Sequence, residues 1–228
     1  MSNQLIFYFS GALILLLSTI LRRDPARRWQ DYVTTVGFVA FGLLGTVVLM
    51  QTCFNGSPTC DATLLRADRT IGLDTLAAMR WVQAHHWLWL FLDFVYSALC
   101  PVIALAWVAE QNPVLRRSFI IGGVGCFLFY WMFPAIGPAP CYYEVDVTTV
   151  PRNCMPSMHF GWALMLAVNA RRPFLILCFS AYSMILAVST IGLGAHYLVD
   201  LLAAVPFVAV CQMVAVFVPW RVLGVGGR

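Results

Sequence analysis

The chain has 228 residues, of which 61% are hydrophobic and only 11% charged, with a formal net charge of +4 and no lysine. A soluble domain of this length does not carry that balance, so a water-soluble enzyme or a nucleic-acid-binding module is excluded. What remains is an integral membrane protein with little chain outside the bilayer, whose arginine excess needs no nucleic-acid partner.

Seven apolar stretches follow in order: Gln4–Leu21, Tyr32–Cys53, Trp87–Ala109, Ser118–Ile136, Ser157–Ala170, Pro173–Ile191 and Tyr197–Pro219. They predict an all-α integral membrane fold with about seven transmembrane helices. The first stretch has no basic run before it and is followed by Arg22 and Arg23, which reads as a retained span rather than a cleaved signal peptide. Residues 1–31 then form a first transmembrane helix with an arginine-rich connection. Residues 32–228 form a catalytic membrane domain whose motif-bearing part is 87–218. The fifth stretch is short for a span.

Arginine placement sets the expected orientation. Arg22, Arg23, Arg27 and Arg28 fill the first connection, Arg116 and Arg117 the third, Arg171 and Arg172 the fifth, and Arg221 and Arg228 the tail. With seven spans all four segments fall on one side, which the positive-inside rule makes cytoplasmic. The expectation is a multi-pass inner (cell) membrane protein with its N-terminus outside and its C-terminus inside.

Two outward connections matter. Phe54–His86 mixes Leu64, Leu65, Ile71, Leu73, Leu76, Met79 and Trp81 with Arg66, Asp68, Arg69, Asp74 and Arg80. It reads either as an amphipathic helix in the headgroup layer or as an ordinary folded loop. His85 and His86 read as headgroup-level polar residues. The second connection, Gly137–Met155, is stiffened by Pro138 and Pro140, and its Tyr142, Tyr143 and Glu144 are candidates for contacting a headgroup. Cys53 and Cys60, and then Cys141 and Cys154, lie on this same outward face, which suggests two disulfides of open connectivity, with free thiols as the alternative.

Two histidines carry the chemistry. His159 lies in Pro156-Ser157-Met158-His159, and His196 in His196-Tyr197-Leu198-Val199-Asp200. Each begins a helix-length apolar run, and the two intervening runs, each about 20–28 Å long as helix, return the chain to the same membrane face. Spaced i and i+4 on one helix, His196 and Asp200 share a face, so the carboxylate can fix one ring nitrogen and leave the other as nucleophile or base. A proton relay in a transporter is a rival use of that pair, but no internal repeat supports it. Pro156 and Ser157 suit a helix start whose N–H groups bind phosphate, with Arg152 near enough to join them. Phosphate between two imidazoles suggests in-line displacement, one ring attacking phosphorus and the other protonating the departing oxygen. That scheme needs no metal or other cofactor. A His–His–Asp metal triad is the weaker alternative.

Pro-Ser-x-His followed, after a helical hairpin, by His-x3-Asp resembles the type 2 phosphatidic acid phosphatase superfamily. The residues around His159, through Phe160-Gly161-Trp162, resemble more closely its subgroup of inositol phosphorylceramide synthases and bacterial relatives. Phe133–Pro140, Asp93 and Tyr96 are similar to that subgroup as well. The resemblance implies a six-helix catalytic core, with His196 as nucleophile, Asp200 orienting it and His159 as the acid. It leaves Arg152, Ser157, Asp93, Tyr96, Tyr142 and Tyr197 as candidate substrate contacts. The phosphatase branch also expects a lysine motif, a glycine where Met158 stands and an arginine where Thr190 stands. With those cations missing, a singly charged phosphodiester suits the chain better than a dianionic monoester. The expected partners are membrane lipids. The expected reaction is transfer of a phospho-headgroup from a phospholipid to a lipid or small alcohol, with monoester hydrolysis as the alternative.

Overall fold

The computed structural model describes residues 2–110, 112–146 and 150–217, and every element among them is helical. The order is α1 (Ser2–Leu21), α2 (Pro25–Thr52), α3 (Asp61–Thr70), α4 (Thr75–Ala84), α5 (His86–Ser97), α6 (Leu99–Glu110), α7 (Pro113–Met132), α8 (Pro138–Tyr142), α9 (Met158–Asn169), α10 (Pro173–Gly192) and α11 (Leu198–Phe217). Each of the seven apolar stretches coincides over most of its length with one of these helices or, for the third, with the pair α5 and α6. By length and apolarity four can cross a membrane, or five if a bent pair counts as one. The end of the seventh stretch, with Arg221 and Arg228, lies outside the described residues.

Local sequence explains most of the helix ends. Asn112 caps α7 by accepting from Val114 N–H at 3.0 Å, and Pro113 and Pro173 occupy first-turn positions that need no N–H donor. Two expected boundaries move. α2 starts at Pro25 rather than Tyr32, so the first connection shrinks to three residues. The third stretch is not one straight helix: α5 and α6 meet at Ala98 with a 45° bend. Pro101 accounts for this, because its ring displaces the carbonyl four residues earlier, at Ser97, and it offers that carbonyl no N–H.

α9 is the central helix and packs on α6, α7, α10 and α11. Ala163, Met165 and Leu166 on it are wholly buried. A helix apolar on most of its faces and packed against four others presents little to lipid; Val168 is its exposed apolar residue. Leu128 on α7, Met184 and Val188 on α10, and Val210 on α11 point outward, as lipid-facing side chains do.

Arg22, Arg116 and Arg171 find their partners at one end of the bundle. Arg22 pairs with Asp31 at 2.7 Å, Arg116 reaches Thr34 Oγ1 at 3.0 Å, and Arg171 N–H meets Glu110 Oε2 at 3.2 Å. At the other end, Phe54–His86 is neither a lone headgroup-level helix nor a plain loop. Its helices α3 and α4 pack on α8, α10 and α11. Asp68, read in sequence as part of the polar side of an amphipathic stretch, is 0% exposed, and Asp61, at the start of α3, is 4% exposed.

Candidate functional site

The loop from α10 to α11 is wound tightly enough to aim His196 inward. Thr190 C=O accepts N–H bonds from Ala195 at 2.9 Å and His196 at 3.1 Å. Gly194 has φ +71°, and a Cβ on it would fall 2.3 Å from Met79 Sδ, so only glycine fits there. Gly137 plays the same part on the facing loop, with φ +93°, where a Cβ would sit 2.7 Å from the Ala195 carbonyl.

Two buried aspartates clamp this loop from α3. Asp68 accepts from Leu198 N–H at 2.9 Å, Val199 N–H at 3.0 Å and the Thr75 hydroxyl, and so caps α11 at its first turn. Asp61 accepts from Gly137 N–H at 2.9 Å, from Ile136 N–H and from the Tyr197 hydroxyl at 3.1 Å. One carboxylate therefore holds the His196 side and the other ties it to the proline-rich loop.

His196 and Asp200 do not share a helix face. α11 begins at Leu198, so His196 precedes it, Tyr197 is its cap and Asp200 its third residue. Asp200 Oδ2 accepts from Tyr197 N–H at 2.8 Å, which is one half of a capping box. The cap brings the carboxylate back toward His196, where Nδ1 and Oδ2 stand 3.6 Å apart. The shorter contact of Nδ1 is with the Cys154 carbonyl, at 2.9 Å. The Cys154 thiol donates to Asp200 Oδ2 at 2.8 Å and also lies 3.5 Å from His196 Nδ1. Asp200 is wholly buried, and its Oδ1 has no hydrogen-bond partner among the described residues.

His159 enters from α9. Ser157 caps that helix by accepting from Phe160 N–H at 3.4 Å, while its own N–H bonds the Asp200 carbonyl at 3.1 Å. Pro156 thus precedes the cap instead of opening the helix. Tyr96 stacks on the His159 ring, with centroids 4.1 Å apart, and its hydroxyl meets Nδ1 at 3.2 Å. The His159 and His196 rings lie 5.9 Å apart between centroids, so one phosphoryl group can touch a nitrogen of each.

The other sequence candidates divide. Ser157 and Tyr96 join the histidines, and Asp93 lies close enough to Tyr96 to act on it electrostatically. Tyr197 is 1% exposed, with its hydroxyl held by Asp61. Tyr142 packs beneath Arg80, and Tyr143 bonds Gln83. Arg152 is buried beside the C-terminal end of α2, its Nη1 on the Ser57 carbonyl at 2.5 Å and its N–H on Thr52 Oγ1. Met158 is buried in the core with Cys126 and Tyr130. Thr190, where a cation was expected, gives its hydroxyl to Ala187 C=O in its own helix.

Cys53, Cys60, Cys141 and Cys154 are all free thiols in the structure, the alternative to two disulfides that the sequence left open. Cys154 is committed to Asp200, whereas the Cys141 thiol interacts with Asp61 and Tyr197. Burial, then the Asp200 charge, holds the Cys154 thiol protonated well above the usual range. Sequence reading missed Asp61 and Asp68 as site supports, and saw Cys154 as a disulfide half or a free thiol but not as a partner of Asp200. The one available signal was their position on the same outward face as both histidines.

Residues 62–214 match the family described as the PAP2 superfamily. The chain belongs to the PAP2 superfamily. No curated protein and no solved structure matched it. The match takes in α4–α10 whole and α11 as far as Val214, together with Asp68, Tyr96, His159, His196 and Asp200, and begins one residue past Asp61. Membership suggests phosphoesterase or phosphotransferase activity in a multi-pass helical membrane protein.

Proposed function

We propose that this PAP2 superfamily member transfers a phospho-headgroup from a phospholipid to a lipid or small alcohol through a phosphohistidine. The observation that carries the reading is the meeting of His159 and His196 beside Asp200. With Nδ1 of His196 turned to the Cys154 carbonyl, Nε2 is the nitrogen left to attack phosphorus. The P–O bond to the leaving alcohol breaks as the P–N bond forms, and His159 gives that oxygen its proton. An acceptor hydroxyl then loses its proton to His159 and attacks phosphorus, releasing Nε2. Tyr96 suits both states of His159, because a hydroxyl can donate to neutral Nδ1 and accept from Nδ1–H of the imidazolium.

Charge supports transfer over monoester hydrolysis. The chain has no lysine, Thr190 stands in place of a cation, and Arg152 is engaged with the Ser57 carbonyl. A singly charged diester asks less of such a site than a dianion does. The similarity of the Pro156–Trp162 segment to inositol phosphorylceramide synthases supports the same choice. The arginine-rich end, read as cytoplasmic, puts the histidines on the extracytoplasmic side of the inner membrane, with the N-terminus outside.

The test is incubation of the purified protein with phosphorus-labelled phospholipids and a lipid-alcohol acceptor. Label in a new lipid, lost in His196→Ala, is the expected result. Label released only as inorganic phosphate from a monoester would establish hydrolysis and overturn the charge argument.

A further inference from the structure

Cys154, His196 and Asp200 offer three unlike donors in one small buried space, with sulfur, ring nitrogen and carboxylate oxygen all within 4.8 Å of one another. Their distances form a triangle of 2.8 Å (Sγ–Oδ2), 3.5 Å (Sγ–Nδ1) and 3.6 Å (Nδ1–Oδ2). Ligands of a tetrahedral zinc, at metal distances of about 2.0–2.3 Å, stand roughly 3.3–3.8 Å apart. Two edges already have that length. The third is short because a thiol proton bridges it, and an ion replacing that proton would open it by roughly half an ångström. The orphaned Asp200 Oδ1 adds a second oxygen with nothing else to bind.

We propose that Cys154, His196 and Asp200 form a binding site for a soft divalent cation of the zinc class, and that filling it switches the enzyme off. Thiolate, imidazole and carboxylate together select zinc, cobalt or cadmium over magnesium and calcium, which favour all-oxygen sites. Binding releases the thiol proton to solvent as the S–metal bond forms, and no group is oxidised or reduced. The Nδ1 lone pair goes to the metal, so the ring proton moves from Nδ1 to Nε2. That proton occupies the lone pair needed to attack phosphorus. The inhibitory half rests on His196 being the nucleophile as proposed above; the binding half does not.

Cobalt(II) tests the site directly, with the full-length protein in detergent. One equivalent should bind with a thiolate-to-cobalt charge-transfer band. The band should vanish in Cys154→Ser, weaken in Asp200→Asn, persist in Cys141→Ser, and yield to zinc but not to magnesium. An undiminished band in Cys154→Ser overturns the site. Should that variant not purify as a single species, Asp200→Asn decides: an unchanged band and affinity there also overturns it. Turnover should fall as free zinc rises and return with a chelator, and Cys154→Ser should need at least ~10-fold more zinc for half-inhibition of its own metal-free rate. Cobalt bound through Cys154 with turnover untouched would keep the site and overturn His196 as nucleophile.

Discussion

Asp68 fixes the first turn of α11, two residues after His196, and so bears on where that histidine stands. Its carboxylate holds two N–H groups of the first turn of α11 and the Thr75 hydroxyl, and it is wholly buried. Hydrogen bonds to a charged acceptor each contribute about 1.5–3 kcal/mol, so losing the two main-chain bonds in Asp68→Ala costs about 3–6 kcal/mol. Leu198 and Val199 N–H are only partly buried, so water recovers some of this and the low end is the expectation. At about 2–4 °C per kcal/mol for a chain of this size, the melting temperature in detergent falls by about 10 °C. The start of α11 also shifts, and a displacement near 1 Å at a catalytic group lowers turnover by about 10²-fold. Asp68→Asn keeps one oxygen acceptor and should fall between the two. Asp74 is the control: it caps α4 on the exposed surface, where Asp74→Ala costs about 1 kcal/mol and leaves turnover intact. Scanning fluorimetry and labelled-lipid turnover on the same preparations measure both effects. Wild-type melting and turnover in Asp68→Ala would refute the clamp.

Tyr96→Phe removes the hydroxyl on His159 but keeps the stacked ring, so turnover should fall about 10-fold or more with little change in melting, seen by comparing kcat with thermal stability. Gly137→Ala forces a side chain into positive φ and against the Ala195 carbonyl; it should cost about 1–3 kcal/mol or more and depress turnover, read by melting and assay together. Burial, then the Asp61 charge, pushes the Cys141 thiol up to about 11. Its thiolate fraction, and hence its alkylation rate, should therefore rise about tenfold per pH unit from neutrality until pH approaches that value, while buried Cys154 stays unlabelled; mass spectrometry of the labelled peptides distinguishes the two.

The spans were legible because apolar runs of this length have few uses outside a bilayer, and the paired histidines because two hairpin-related motifs return the chain to one end. The placement of Asp200 was read for a reason the fold does not use. Helix spacing predicted a shared face, whereas a capping bond to Tyr197 N–H brings the carboxylate back. Asp61 and Asp68 were hidden because a buried carboxylate and a solvated one look alike in sequence when both alternate with leucines. Only the packing of α3 on α11 tells them apart. The bend at Ala98 was available in Pro101, yet a continuous apolar run masked it. Cys154 was visible as a thiol on the correct face, but its partner is a carboxylate forty-six residues away, and no spacing rule announces that pairing.

The twelve residues of α9 reach about 18 Å, against about 30 Å for the hydrocarbon layer. If its far end keeps level with the arginines, His159 sits roughly 12 Å below the opposite boundary of that layer. The remaining height is taken up by α3, α4 and α8, a polar roof built inside the thickness of the membrane. In the transfer proposed above, chemistry at that depth would spare the lipid a rise into water. Water and a small acceptor would descend to the lipid instead, and the height of the roof would meter how much of either arrives.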